Sequence, residues 1–199
     1  MPLFASARSG IRDAHRAVMI RAFLLVWALG WLIPAQATTL GKASFDDLVQ
    51  TSTGIVRARV LNSYTAQRGS LIDTYYKIQV LDRWKGTAAS QVEVRVPGGA
   101  FNGQQQSISG APQLTESAVY VFFLWTGPSG ATQLLGLSQG VLDVLTNDAG
   151  DIFVSSQITD ALMVDSATGQ ATSQQPLRMK LTDFSSRVSG ALKAAGNTK

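Results

Sequence analysis

The chain has 199 residues, of which 17 are Lys or Arg, 13 are Asp or Glu and none is Cys, for a formal charge of +4. That length suffices for one domain with a substantial core. The absence of Cys excludes disulfides, thiolate zinc and iron–sulfur sites, a Cys nucleophile and lipid attachment through a lipobox.

Residues 1–37 read as an export signal. Arg8, Arg12, Arg16 and Arg21 precede or abut the apolar run Ala22 to Ile33, and Pro34-Ala35-Gln36-Ala37 supplies Ala35 and Ala37 as an A-x-A site with cleavage before Thr38. The run falls short of the roughly 20 residues that span a bilayer, so the expectation is transient membrane contact and an exported product, periplasmic or secreted. The alternative is an uncleaved signal anchor on a structural protein of the envelope. Met19 offers a second start, because Met19-Ile20-Arg21 leads directly into the apolar run. Cleavage removes the sole histidine, His15, with four arginines and Asp13, leaving 13 cations against 12 anions from Thr38 onward, a net of +1. The basicity belongs to the export segment and gives no ground for nucleic acid as a partner. The remaining charge is polarised, with no Lys or Arg between Val96 and Leu177, a pattern that reads either as acidic loops and basic strands neutralising one another locally or as a dipole that steers a partner.

From Thr38 the pattern predicts mostly strands. Ser44-Phe45-Asp46-Asp47-Leu48-Val49 places a capping Ser three residues before an Asp and predicts a short helix. In Ile55 to Tyr64, Val56, Ala58 and Val60 alternate with Arg57 and Arg59, so the apolar set faces inward and both guanidinium groups outward. After a turn at Gln67-Arg68-Gly69-Ser70, Leu71 to Trp84 forms a long strand with Ile72, Thr74, Tyr76, Ile78 and Val80 on one face and Asp73, Tyr75, Lys77 and Gln79 on the other. Lys85-Gly86-Thr87 breaks it. Gln91 to Val96 alternates again until Pro97-Gly98-Gly99, and a polar loop then runs to Pro112 and on to Glu116. Val119 to Trp125, apolar on both faces, is predicted as the most buried strand. Strands at Thr132 to Leu137, Val141 to Leu145 and Ile152 to Ser155 follow, with turns at 127–130 and 147–150. A polar excursion over 156–176 leads to an amphipathic helix over 177–199, with Leu181, Phe184, Val188 and Leu192 at helical spacing. The predicted class is mainly β: a small antiparallel OB-like barrel over 38–155 with a short N-terminal helix and a C-terminal amphipathic helix packed against it.

The succession of Gly54-Ile55-Val56-Arg57-Ala58-Arg59-Val60, Tyr75 to Gly86, Val92 to Val96 with Pro97-Gly98-Gly99, Gly110-Ala111-Pro112, Tyr120 to Leu124 and Gly136 to Gly140 resembles a group of uncharacterised exported bacterial proteins. Its strand order, with Lys85-Gly86 after the second long strand, is also similar in architecture to the netrin-like module of the tissue inhibitors of metalloproteinases. In those inhibitors an N-terminal Cys presents its amine to a protease zinc. This chain would start at Thr38-Thr39-Leu40 and has no Cys, so zinc-chelating inhibition does not transfer.

Gly136-Leu137-Ser138-Gln139-Gly140 matches the G-x-S-x-G nucleophile elbow, which requires a strand before the Ser, a helix after it and a His as base. Another strand is predicted after Ser138 and no His follows residue 37, so a serine hydrolase using Ser138 is the lesser alternative to a glycine-flanked bulge. Asn147-Asp148-Ala149-Gly150-Asp151 lacks the ligand spacing of a calcium loop and predicts a hairpin turn. No metal or cofactor site is expected. Two surfaces remain as binding candidates. One is the polar loop, with Gly98, Gly99, Phe101, Asn102, Gly103, Gln105 and Ser109, which carries no charge between Gly98 and Thr115. The other is a basic strand face of Arg57, Arg59, Lys77 and Arg95, with Arg83, Tyr75 and Tyr64 near it. The function expected is an exported, non-enzymatic module that binds a protein or an envelope polymer.

Overall fold

The computed structural model describes residues 39–86, 88–157, 162–164, 168, 170–172 and 176–196, all within the unit Thr38–Lys199. The expected export signal over residues 1–37, with Ala35, Ala37, the alternative start Met19 and the alternative anchor, lies outside the described residues. No helix among the described residues is long and apolar enough to cross a membrane.

A short strand, β1 (Thr39–Gly41), precedes helix α1 (Phe45–Thr51). The predicted cap is present: Asp47 N–H donates to Ser44 Oγ at 3.1 Å, and Ser44 N–H and Oγ donate to Asp47 Oδ2 at 3.2 and 2.6 Å. The Ser44 hydroxyl and then its backbone amide hold the Asp47 carboxyl below its ordinary value of 3.8. Because the folded pKa is the lower one, the stabilisation is complete above the ordinary value and fades as the pH falls through the folded one. Ser44→Ala is expected to lower the melting temperature by about 2–4 °C at pH 7, and thermal scans should show that difference shrinking as the solution is acidified below pH 3.8.

Two long strands follow, β2 (Gly54–Arg68) and β3 (Leu71–Lys85), paired antiparallel with Val60 opposite Ile78 and Tyr64 opposite Tyr75. Their register slips at Ile55/Val56, Arg57/Ala58 and Val60/Asn62. Such bulges increase twist and let a long strand curl. β3 continues to β4 (Gln91–Pro97). The predicted polar loop contains a hairpin instead, β5 (Gly99–Phe101) and β6 (Gln104–Gln106). Its two-residue turn is Asn102-Gly103, with φ of 48° and 76°, the conformation that Asn-Gly adopts most readily and that matches strand twist. Next come β7 (Val119–Thr126) and β8 (Thr132–Leu134).

These strands close into a ring. β7 pairs with β2, β2 with β3, β3 with β4, β4 with β8 in parallel, and β8 with β7. The architecture is mainly β, as the sequence predicts, but the β4–β8 pair is parallel where an all-antiparallel barrel is expected, and the ring ends at Leu134 where the expected barrel runs to residue 155. The ring's interior holds Val56, Ala58, Val60, Tyr76, Ile78, Val94, Val96, Tyr120, Phe122 and Leu124, the inward sets that alternation assigns.

Beyond β8 the chain keeps following the same edge of β7. Leu135 N–H still bonds Phe123 O at 2.9 Å. A 3₁₀ turn, Leu137–Gly140, then interrupts the path, and β9 (Val141–Thr146) resumes it opposite Phe122 to Tyr120. The strand predicted to Leu137 therefore ends at Leu134. β10 (Ile152–Ser156) and, beyond the pairs β11 (Leu162–Val164) and β12 (Ala171–Thr172), β13 (Arg178–Lys180) extend the sheet outside the ring. β11 pairs with β1 in parallel, giving part of the predicted polar excursion regular structure. Helix α2 (Leu181–Gly196) turns Phe184 and Val188 into a second apolar layer with Leu48, Val49, Ile55, Val121, Phe123, Leu142 and Val154. β7 is apolar on both sides because Phe122 faces the barrel and Phe123 faces this layer.

Candidate functional site

The 98–114 segment leaves the ring at the Pro97 end of β4, and its hairpin folds over the tip of β2 and β3. Thr65 Oγ1 donates to Ala100 O at 2.7 Å, Thr74 Oγ1 to Gly98 O at 2.7 Å, and Gly98 N–H to Ile72 O at 2.7 Å. A cleft of about 250 Å³ lies between this segment and the barrel. Val96, Pro97, Ile108, Ala111, Pro112 and Leu114 form its apolar surface; Thr74, Tyr76, Gln105, Gln106, Ser107 and Gln113 supply hydroxyls and amides. No charged side chain lines it. Burial pushes the Tyr76 phenol above its ordinary pKa, with the Leu114 backbone amide pulling the other way. The hydroxyl therefore keeps its proton at neutral pH.

Of the loop residues singled out from the sequence, Gly98, Gly99 and Gln105 line the cleft. Phe101 ends β5, Asn102 and Gly103 form the hairpin turn, and Ser109 is exposed outside the lining. Sequence reasoning missed Thr74, Tyr76, Gln106 and Gln113. The alternation of β3 had assigned Thr74 and Tyr76 to the barrel interior; the detectable signal for the cleft was Asn102-Gly103, which announces a hairpin able to fold back on the barrel mouth.

The four strand cations do not join into one basic stripe. Arg57 pairs with Asp82 at 2.5 Å. Lys77 sits opposite Glu93 in the register, and Arg95 Nη2 donates to Gln133 Oε1 at 3.0 Å. Arg59 is exposed opposite Gln79 and makes no ion pair among the described residues. Tyr64 and Tyr75 stack on one another with ring centroids 5.0 Å apart, and Tyr64 donates to Glu93 Oε2 at 3.1 Å. Two carboxylates thus stand among the cations, and the face is mixed in charge.

Ser138 occupies the 3₁₀ interruption with its Oγ buried and no hydrogen-bond partner among the described residues. The left-handed residues are Gly136 and Leu137, at φ of 67° and 55°, and strand β9 follows the turn where an elbow needs a helix. In the 147–151 turn, Asn147 Oδ1 accepts from Asp151 N–H at 2.8 Å and Asp151 Oδ2 pairs with Lys180 at 3.3 Å, so these oxygens serve the hairpin. Among the described residues no three His, Asp or Glu side chains converge as a metal site. No protein-family model, curated protein or solved structure matches the chain.

Proposed function

We propose that the protein is an exported, non-enzymatic binding module whose ligand enters the cleft under the 99–106 hairpin. The observation that supports this reading is the cleft's lining: apolar walls with amides and hydroxyls and no charge, on a segment inserted between two ring strands. Binding loops on a rigid scaffold are built in this way. The arginines and small-residue site within residues 1–37 support export. The strand face is the weaker candidate because Asp82 and Glu93 oppose its cations.

Recovery of cross-linked complexes from the native envelope tests the reading. The complex should form equally at low and high salt, persist when Arg57 and Arg59 are both changed to Glu, and disappear when the segment between Ala100 and Ser107 is shortened. Surface charges act over a Debye length of about 8 Å at physiological ionic strength, so steep salt dependence would point to the strand face and overturn this assignment. So would a complex that survives the shortening.

A further inference from the structure

The hydrogen bonds around the cleft are unevenly spent, and what remains selects a ligand. Gln106 Oε1 accepts from Ile72 N–H at 2.7 Å, which fixes the side-chain amide and leaves both Nε2 protons without a partner among the described residues. Tyr76 lines the cleft, and its hydroxyl, which accepts from the Leu114 backbone amide, keeps its own proton to donate. Thr74 has used its proton on Gly98 O, so its Oγ1 can only accept. The backbone at Gly98 is also spent, its N–H on Ile72 and its carbonyl on Thr74, and Gly99 pairs with Gln106 across the hairpin. An extended peptide would need unpaired strand backbone to dock against, and here recognition falls to side chains. At about 250 Å³ the cleft is smaller than the roughly 300 Å³ at which pockets for drug-sized molecules begin.

We propose that the cleft binds one neutral acetamido sugar unit: its carbonyl oxygen takes protons from Gln106 Nε2 and Tyr76, its N–H faces Thr74 Oγ1, and its methyl group packs on the Val96 and Pro112 wall. The sugar hydroxyls meet the exposed rim of Gln105, Ser107 and Gln113. An acetamido group combines an acceptor, a donor and a methyl without charge, which is the complement of this set. The inference rests on the binding-module reading and names its ligand class.

The test is a titration of the purified full chain with N,N′-diacetylchitobiose, and with cellobiose as the disaccharide lacking acetamido groups, followed by backbone and side-chain amide NMR shifts. Saturable shifts should concentrate at Gly98, Gly99, Gln105 and the Gln106 side-chain NH₂, with cellobiose at least about tenfold weaker, the worth of one buried hydrogen bond. Gln106→Glu keeps the acceptor for Ile72 N–H and removes the Nε2 donors, so it should abolish the shifts while the spectrum stays folded. Tyr76→Phe should weaken binding by about tenfold. Equal affinity for cellobiose, unchanged affinity in Gln106→Glu, or the same shifts with an uncharged peptide and none with the acetamido sugar would overturn the assignment. If the disaccharide fails while the envelope complex stays salt-insensitive and dependent on the hairpin, the sugar assignment falls and the binding-module reading stands.

Discussion

Phe122→Asp is expected to abolish the cooperative thermal transition of the domain. Phe122 is fully buried on β7, opposite Val56 of β2 and Val141 of β9, and packs edge to face with Tyr120 inside the barrel. Truncating a buried Phe costs about 3–5 kcal/mol, and the carboxylate adds the penalty of an unpaired charge in an apolar interior. The sum reaches the total stability of a domain, about 5–15 kcal/mol. Near-ultraviolet circular dichroism should lose its fine structure in this variant. Phe122→Leu, which keeps the site apolar, should remain folded. A cooperative melt near the wild-type temperature for Phe122→Asp would show that β7 does not form the barrel's interior wall.

Gly140→Ala should come second. A Cβ at this position would stand 2.1 Å from the carbonyl oxygen and 3.1 Å from the carbonyl carbon of Leu135. Both obstacles are backbone, and the Leu135 amide is itself bonded to Phe123 O, so relief requires pulling the strand path off β7. The cost should be about 3 kcal/mol or more, a fall in melting temperature of about 6–12 °C. Gly136→Ala is the contrasting variant: its Cβ would meet only side-chain atoms, the nearest at 3.5 Å, and the penalty is the left-handed backbone alone, about 1–2 kcal/mol. If the two alanines cost the same, the tight crossing at Leu135 is not where the structure places it.

The parts of the fold legible in the sequence were those fixed by local periodicity. Val56, Ala58 and Val60, and Tyr76 and Ile78, went to the barrel interior as their spacing of two requires. The run at Val119 to Trp125 showed its two-sided burial directly. Pairing geometry between distant segments was not legible. Leu134 and Val141 belong to one path along β7, and the glycines between them look like an ordinary turn in the sequence, because only the partner strand shows that the path resumes. The cleft was half legible for the same reason. Its loop side followed from the uncharged run after Gly98, whereas Thr74 and the interior residue Tyr76 join it only because the inward face of β3 reaches the mouth of the barrel, where the hairpin folds over it. Asp82 and Glu93 escaped notice as neutralisers because their placement beside Arg57 and Lys77 depends on cross-strand register, including a bulge.

The outer layer sets an order of events for folding. All five ring strands lie between residues 54 and 134, so the barrel can form before the residues of α2 have emerged from the ribosome. The layer outside it cannot. Phe45 meets Phe184 edge to face at 5.8 Å, Trp84 meets Phe184 at 5.1 Å and donates its indole N–H to Ser185 Oγ at 2.8 Å, and Phe123 completes the cluster. These partners are far apart along the chain, and closing such long loops is entropically costly and slow. Until α2 docks, Phe45, Trp84 and Phe123 form an uncovered aromatic patch on a finished barrel, the kind of surface that holdase chaperones bind and that drives aggregation. The last helix thus acts as the closing step of biogenesis, and the interval before it docks is when this protein is most exposed to aggregation.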